Sequence, residues 1–146
     1  GFLSSGGWDT HINQGSVTGQ LANNLSNLSN TLLQLRAAFS EPKDVVIVAS
    51  EFGRTCAENG TRGTDHGHGN VMWLMGNGVK GGQWHGRWDG LAADKLNEGR
   101  DLPVHHDFRA VFAQALTHSV GVTKGKIQEI FPTYQWDSAL DTLFKS

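Results

Sequence analysis

Val45-Val46-Ile47-Val48-Ala49, Ser50-Glu51-Phe52-Gly53-Arg54, a turn-rich stretch, then Thr64-Asp65-His66-Gly67-His68-Gly69-Asn70 and Val71-Met72-Trp73-Leu74-Met75 form the segment from which the fold is read. The two outer runs are apolar and rich in β-branched residues. A continuous run of this kind is typical of a parallel strand covered on both faces. Between them lies a polar loop with turn signals at Asn59-Gly60 and Arg62-Gly63. That loop holds Glu51, Asp65, His66 and His68, four side chains able to ligate a metal ion. A hydrogen-bonded histidine cluster is the competing reading, and the concentration of two imidazoles and a carboxylate on one glycine-rich loop favours metal.

Upstream, Val17, Leu21, Leu25, Leu28, Leu32, Leu35 and Phe39 recur at spacings of four and three, which predicts a helix over Ser16–Phe39. Its other face is polar and nearly uncharged, so the stripe is expected to pack on one face of a sheet. Ser16 is a candidate N-cap, and Glu41-Pro42 closes the element. Helix followed by buried strand is half of a β-α-β unit. In such sheets sites form beyond the carboxyl ends of the strands. Glu51 and Arg54 fall there: Glu51 as ligand or general base, Arg54 as a planar fork for an anion, or the two as an ion pair.

Before the helix, Gly6-Gly7-Trp8-Asp9-Thr10-His11 sets a carboxylate and an imidazole two residues apart, on one side of an extended chain. Alone, that pair reads equally as a surface histidine held by its neighbour.

Downstream, Gly76-Asn77-Gly78-Val79-Lys80-Gly81-Gly82 leads to no helix, so the phosphate-loop pattern is absent. The irregular Gln83–Leu102 stretch carries Trp84, His85, Arg87 and Trp88, expected to cover a sheet edge or to stack a flat ligand. A second helix is predicted over Val104–Val120, with Val104, Phe108, Val111, Phe112, Ala115, Leu116 and Ser119 on one side and Gly121 as C-cap. His105 and His106 read as exposed or capping. Lys126–Phe131 is short, apolar at alternate positions and closed by Pro132. The tail is expected to dock by Leu140, Leu143 and Phe144.

The chain has 146 residues, 38% of them hydrophobic, which is enough for one domain with a core. A net charge of -2 gives no footprint for general nucleic-acid binding. Cys56 stands alone, which excludes an intrachain disulfide and a cysteine zinc cluster. No run reads as a membrane span or a signal peptide. The start at Gly1-Phe2-Leu3, without methionine, suggests the interior of a longer protein.

Taken together, Gly6–His11, Ser50–Arg54, Asn59-Gly60, Gly63–Gly67, Gly78–Gly82 and Asp107-Phe108-Arg109 resemble the bacterial family called domain of unknown function 1501, over nearly the whole chain. That family looks like a branch of the alkaline phosphatase and sulfatase superfamily. The resemblance implies a single α/β domain over residues 1–146, with a mostly parallel sheet flanked by helices. This would be the C-terminal portion of a larger alkaline-phosphatase-like fold, with its nucleophile upstream. The missing N-terminal segment, or a partner chain, is expected to complete it.

It also implies a metal-dependent hydrolase of phosphate or sulfate esters, exported to the periplasm or beyond. The substrate would be an anionic small molecule or a glycan ester. Asp9, His11 and His66 resemble the ligands of the first ion, with Asp65 and His68 beside them. Glu51 is the surviving carboxylate of a second position, and Arg54 the anion holder. Zinc is the expected ion, with manganese, iron or calcium as alternatives. A non-catalytic surface or scaffold protein that binds a metal or anion is the other class carried forward.

Overall fold

The structure is a computed structural model that describes residues 1–145. Helix α1 spans Gln20–Ala38. Four short strands follow: β1 Val46–Val48, β2 Gly53–Arg54, β3 His66–Gly67 and β4 Trp73–Met75. Helices α2, Phe108–Val120, and α3, Lys124–Ile130, complete the regular structure with two single 3₁₀ turns. The chain divides into two compact units. One comprises Gly1–Leu35, Ser50–Val71 and Gly90–Pro103; the other comprises Arg36–Ala49, Met72–Asp89 and Val104–Ser146.

The class is mixed α/β, but the sheets correct the expectation. β1 and β4 are neighbours, as the two apolar runs suggest, yet they pair antiparallel, with Val46 opposite Met75 and Val48 opposite Trp73. β2 and β3 form a second antiparallel pair. Among the described residues there is no parallel sheet. The reason lies in the connection. A parallel pair needs a long crossover, usually a helix. Here the chain between β1 and β4 contains no helix and folds back on itself through β2 and β3. Nor are the apolar runs covered on both faces: all three β1 residues are only half-buried.

Helix α1 begins four residues later than the periodicity predicts. Gly15 and Gly19 both adopt positive φ, which interrupts a right-handed helix, and Ser16 lies in the turn between them rather than at the cap. None of the α1 residues is buried. The leucine stripe is therefore not the core: Leu21, Leu28, Leu32 and Leu35 are half-buried, and Leu25 and Leu33 are exposed.

The core belongs to the second unit. Ala110 and Ala113 of α2 and Ile127 of α3 pack with Tyr134, Leu140 and Leu143. Leu140 and Leu143 dock the tail as expected. α2 starts at Phe108 because the Asp107 carboxylate accepts a hydrogen bond from the Arg109 backbone N–H, and it stops at Gly121, whose φ of 71° is left-handed. Its buried face is the alanine face, Ala110, Ala113 and Ala115, while Phe108 is exposed. Of the Lys126–Phe131 segment, all but the C-cap Phe131 lies in helix α3, which Thr123 caps by accepting from the Lys126 N–H. Trp84 and Trp88 are exposed.

Candidate metal centre

The first unit contains no buried large hydrophobic side chain among the described residues; its buried positions are Thr10, Gly53, Gly63, Gly69 and Asp101. Hydrogen bonds hold it instead. The backbone N–H groups of Asn13 and Gln14 donate to the Thr61 and Arg62 carbonyls at 3.0 and 2.9 Å. Asn59 joins the same two segments. Its Nδ2 donates to the His11 carbonyl and to Asp65 Oδ1, both at 3.0 Å, and its Oδ1 accepts from the Thr61 and Gly63 N–H groups. Gly63 must be glycine at this crossing, because a Cβ there would overlap the His11 carbonyl.

Arg54 is the second tie. Its Nη1 donates to the carbonyls of Thr10 at 2.9 Å and Thr64 at 2.6 Å, and its Nη2 to the Trp8 carbonyl. The guanidinium thus clamps the N-terminal segment against the loop. The same donors, read from sequence as a fork for an anion, are directed at backbone.

These ties bring Asp9, His11 and His66 together, with one ligand atom from each within 4.8 Å of the others. Asp9 Oδ1 lies 2.9 Å from His11 Nε2 and 2.6 Å from His66 Nε2. Behind His11, its Nδ1 lies 3.1 Å from Asp65 Oδ1. A neutral imidazole has one N–H, yet His11 faces a carboxylate oxygen at both nitrogens. One nitrogen therefore turns a lone pair toward a carboxylate unless a proton or cation stands between them. The Phe52 ring stacks on His66 at 3.9 Å between centroids and fixes its plane.

The electrostatics agree with this packing. Hydrogen bonds from His66, and then His11, hold the Asp9 carboxyl below the usual range. Asp65 is lowered first by Asn59 and then by His11. Both shifts favour the ionised carboxylate.

The other candidates fall elsewhere. Glu51 is exposed and outside the group of three. His68 is also outside it: its Nδ1 pairs with Asp101 Oδ2 at 3.0 Å, and its backbone N–H donates to the same oxygen at 2.6 Å. Asp101 is fully buried, and its pKa is lowered to about 2, chiefly by that backbone N–H. Gly67 permits the approach, since a Cβ there would lie 2.6 Å from Asp101 Cβ.

Asp101 and Asn59 are the residues that sequence reasoning missed as site supports. Asn59 was visible only as half of a turn dipeptide, and nothing local marks Asp101. His105 pairs loosely with Asp89 at 3.4 Å and is not one of the group of three.

Among known families, residues 2–131 match the family model described as protein of unknown function (DUF1501). No curated protein and no solved structure matches the chain.

Proposed function

Because the chain belongs to the DUF1501 family, whose description assigns no activity, we propose from its own residues that it carries a divalent-metal centre of a hydrolase acting on phosphate or sulfate esters. The observation that carries this reading is Asp9 Oδ1 standing within hydrogen-bond reach of two imidazole Nε2 atoms. One carboxylate oxygen and two imidazole nitrogens suit zinc with an open coordination position, and manganese or iron would accept the same set. Asp65 would hold the Nδ1–H of His11 and leave its Nε2 lone pair to the ion, the usual carboxylate support of a ligating histidine. A divalent ion there would polarise an ester oxygen and stabilise charge on the leaving group. Arg54 serves the centre by clamping the loop, and Glu51, exposed after β1, is proposed as the proton acceptor. Membership of the alkaline phosphatase and sulfatase superfamily, an anionic ester substrate and export from the cytoplasm belong to the same proposal.

The test is metal content of the purified chain after equilibration with zinc or manganese, followed by turnover of aryl phosphate and aryl sulfate esters. His66→Ala should lose most bound metal, while His105→Ala keeps it. Equal loss in both variants would sink the centre. Binding should also weaken in acid, since ligating imidazoles must be unprotonated. The non-catalytic reading is favoured by one observation: the Nη groups of Arg54 bond to backbone carbonyls. Full metal occupancy with no turnover of any ester would establish that reading instead.

A further inference from the structure

His106, in the second unit, lies between two groups that demand opposite things of its ring. Its Nδ1 is 2.7 Å from Asp137 Oδ2, and its Nε2 is 3.0 Å from the backbone N of Arg87. A carboxylate only accepts, and a backbone N–H only donates. The two contacts are satisfied together by one species alone, the neutral imidazole with its hydrogen on Nδ1. The turn that donates is seated closely. Gly86 has a φ of 88°, and a Cβ on it would stand 2.9 Å from the His106 ring. That turn displays Trp84 and Trp88, both exposed.

We propose that His106 is a proton-sensitive latch that holds the Trp84–Trp88 turn while neutral and releases it when protonated. Protonation at Nε2 replaces the acceptor of the Arg87 N–H with a second donor, so the hydrogen bond is lost and two N–H groups face each other. The Nδ1–H bond to Asp137 survives, and the ring stays anchored while the turn detaches.

The turn carries a second titratable ring, His85, whose Nε2 lies 2.9 Å from the Lys80 carbonyl and whose Nδ1 lies 3.5 Å from Thr142 Oγ1. Asp137 faces Nδ1 and is itself fixed, with its Oδ1 accepting from the Ala139 N–H and its backbone N–H donating to the Tyr134 hydroxyl. On the turn, the Arg87 guanidinium is held by Asp89, to which His105 also reaches. At the start of α2, Asp107 is paired with Arg109.

The experiment is nuclear magnetic resonance on the intact chain. At about pH 8 the ring nitrogen shifts of His106 should report hydrogen on Nδ1. Between about pH 8 and 5, the range in which imidazoles change charge, the hydrogen-exchange protection factor of the Arg87 amide should fall about fivefold or more, as expected for loss of one hydrogen bond. His106→Gln retains an acceptor that does not titrate, so its Arg87 protection should not change over that range. His105→Gln should behave as the parent chain. Hydrogen on Nε2 at about pH 8, or an Arg87 protection factor constant across the range in the parent chain, would overturn the latch. So would the same fall in a folded His106→Gln. Should His106→Gln fail to fold, the two parent-chain measurements decide the question.

Discussion

The two units are held together by different physics. The second buries Ala110, Ala113, Ile127, Tyr134, Leu140 and Leu143 against one another, the ordinary apolar solution. The first buries Thr10, Asp101 and glycines, and relies on directed donors from Arg54 and Asn59. Apolar packing is non-directional and tolerates shape changes at a graded cost. A hydrogen-bonded crossing is specific, because each donor left without a partner carries its own penalty. A unit of the second kind suits a site whose ligand atoms must be placed to within fractions of an ångström.

That contrast can be broken most severely in the core. Ile127→Ala removes a side chain that is 1% exposed and should cost about 2–5 kcal/mol of unfolding free energy, read from the urea midpoint. If metal binding by the folded fraction persists, the units are separable in function. Next in size is Arg54→Ala, which strands the carbonyls of Trp8, Thr10 and Thr64 and should cost about 1–3 kcal/mol. Its signature is local: amide protection should fall around residues 8–14 while α2 and α3 keep theirs. A uniform loss would erase the distinction between the units.

Gly63→Ala should act more narrowly still. It forces the His11 segment away from the loop, so zinc affinity should fall several-fold or more while the far-ultraviolet signal of the helices is unchanged. Unchanged affinity would mean that the crossing at Gly63 does not set the ligand geometry.

The pH dependence of Asp101 sharpens the comparison further. Its pKa falls from 3.8 to about 2 on folding. A lowered carboxyl pKa adds stability that is present above the unfolded value and disappears as pH falls through the folded one. The first unit should therefore lose protection between about pH 4 and 2, and Asp101→Asn should reduce that dependence to the share carried by Asp9 and Asp65. The smallest effect belongs to the exposed Lys126–Glu129 pair of α3. Lys126→Ala should change stability by less than about 0.5 kcal/mol.

The differing legibility of the two units follows from the same physics. Periodicity found α1 and α2 because a helix repeats within its own sequence, and Gly121 announced the end of α2. Local pattern also marked the two apolar runs as partners. It could not give their direction, because direction is decided by the route of the chain between residues 49 and 72. The burial of the leucine stripe was misjudged for a related reason: amphipathicity says which face would be buried, not whether anything covers it. At the site, histidines and carboxylates on glycine-rich loops stand out by type, so Asp9, His11, Asp65 and His66 could be picked out. Asn59 and Asp101 act through long-range contacts, and an asparagine in a turn looks the same whether or not its amide bridges two segments.

The interleaving of the two units along the chain has a consequence for biosynthesis. The first unit is assembled from three separate stretches, the last being Gly90–Pro103. Asp101, the buried anchor of His68, lies in that final stretch. A ribosome delivers the chain from its N-terminus, at roughly 5–20 residues per second. Asp9 and His11 therefore emerge long before the residues that fix their surroundings, and for that interval they are unpaired polar groups on a nascent chain. The two-stranded pairing of β1 with β4 must likewise wait for residues 73–75. Closing such distant contacts makes folding slow relative to a helical bundle of the same length. The nascent chain thus exposes Asp9 and His11 to solvent until Asn59 and His66, which hold them in the folded unit, have been made and brought back to them.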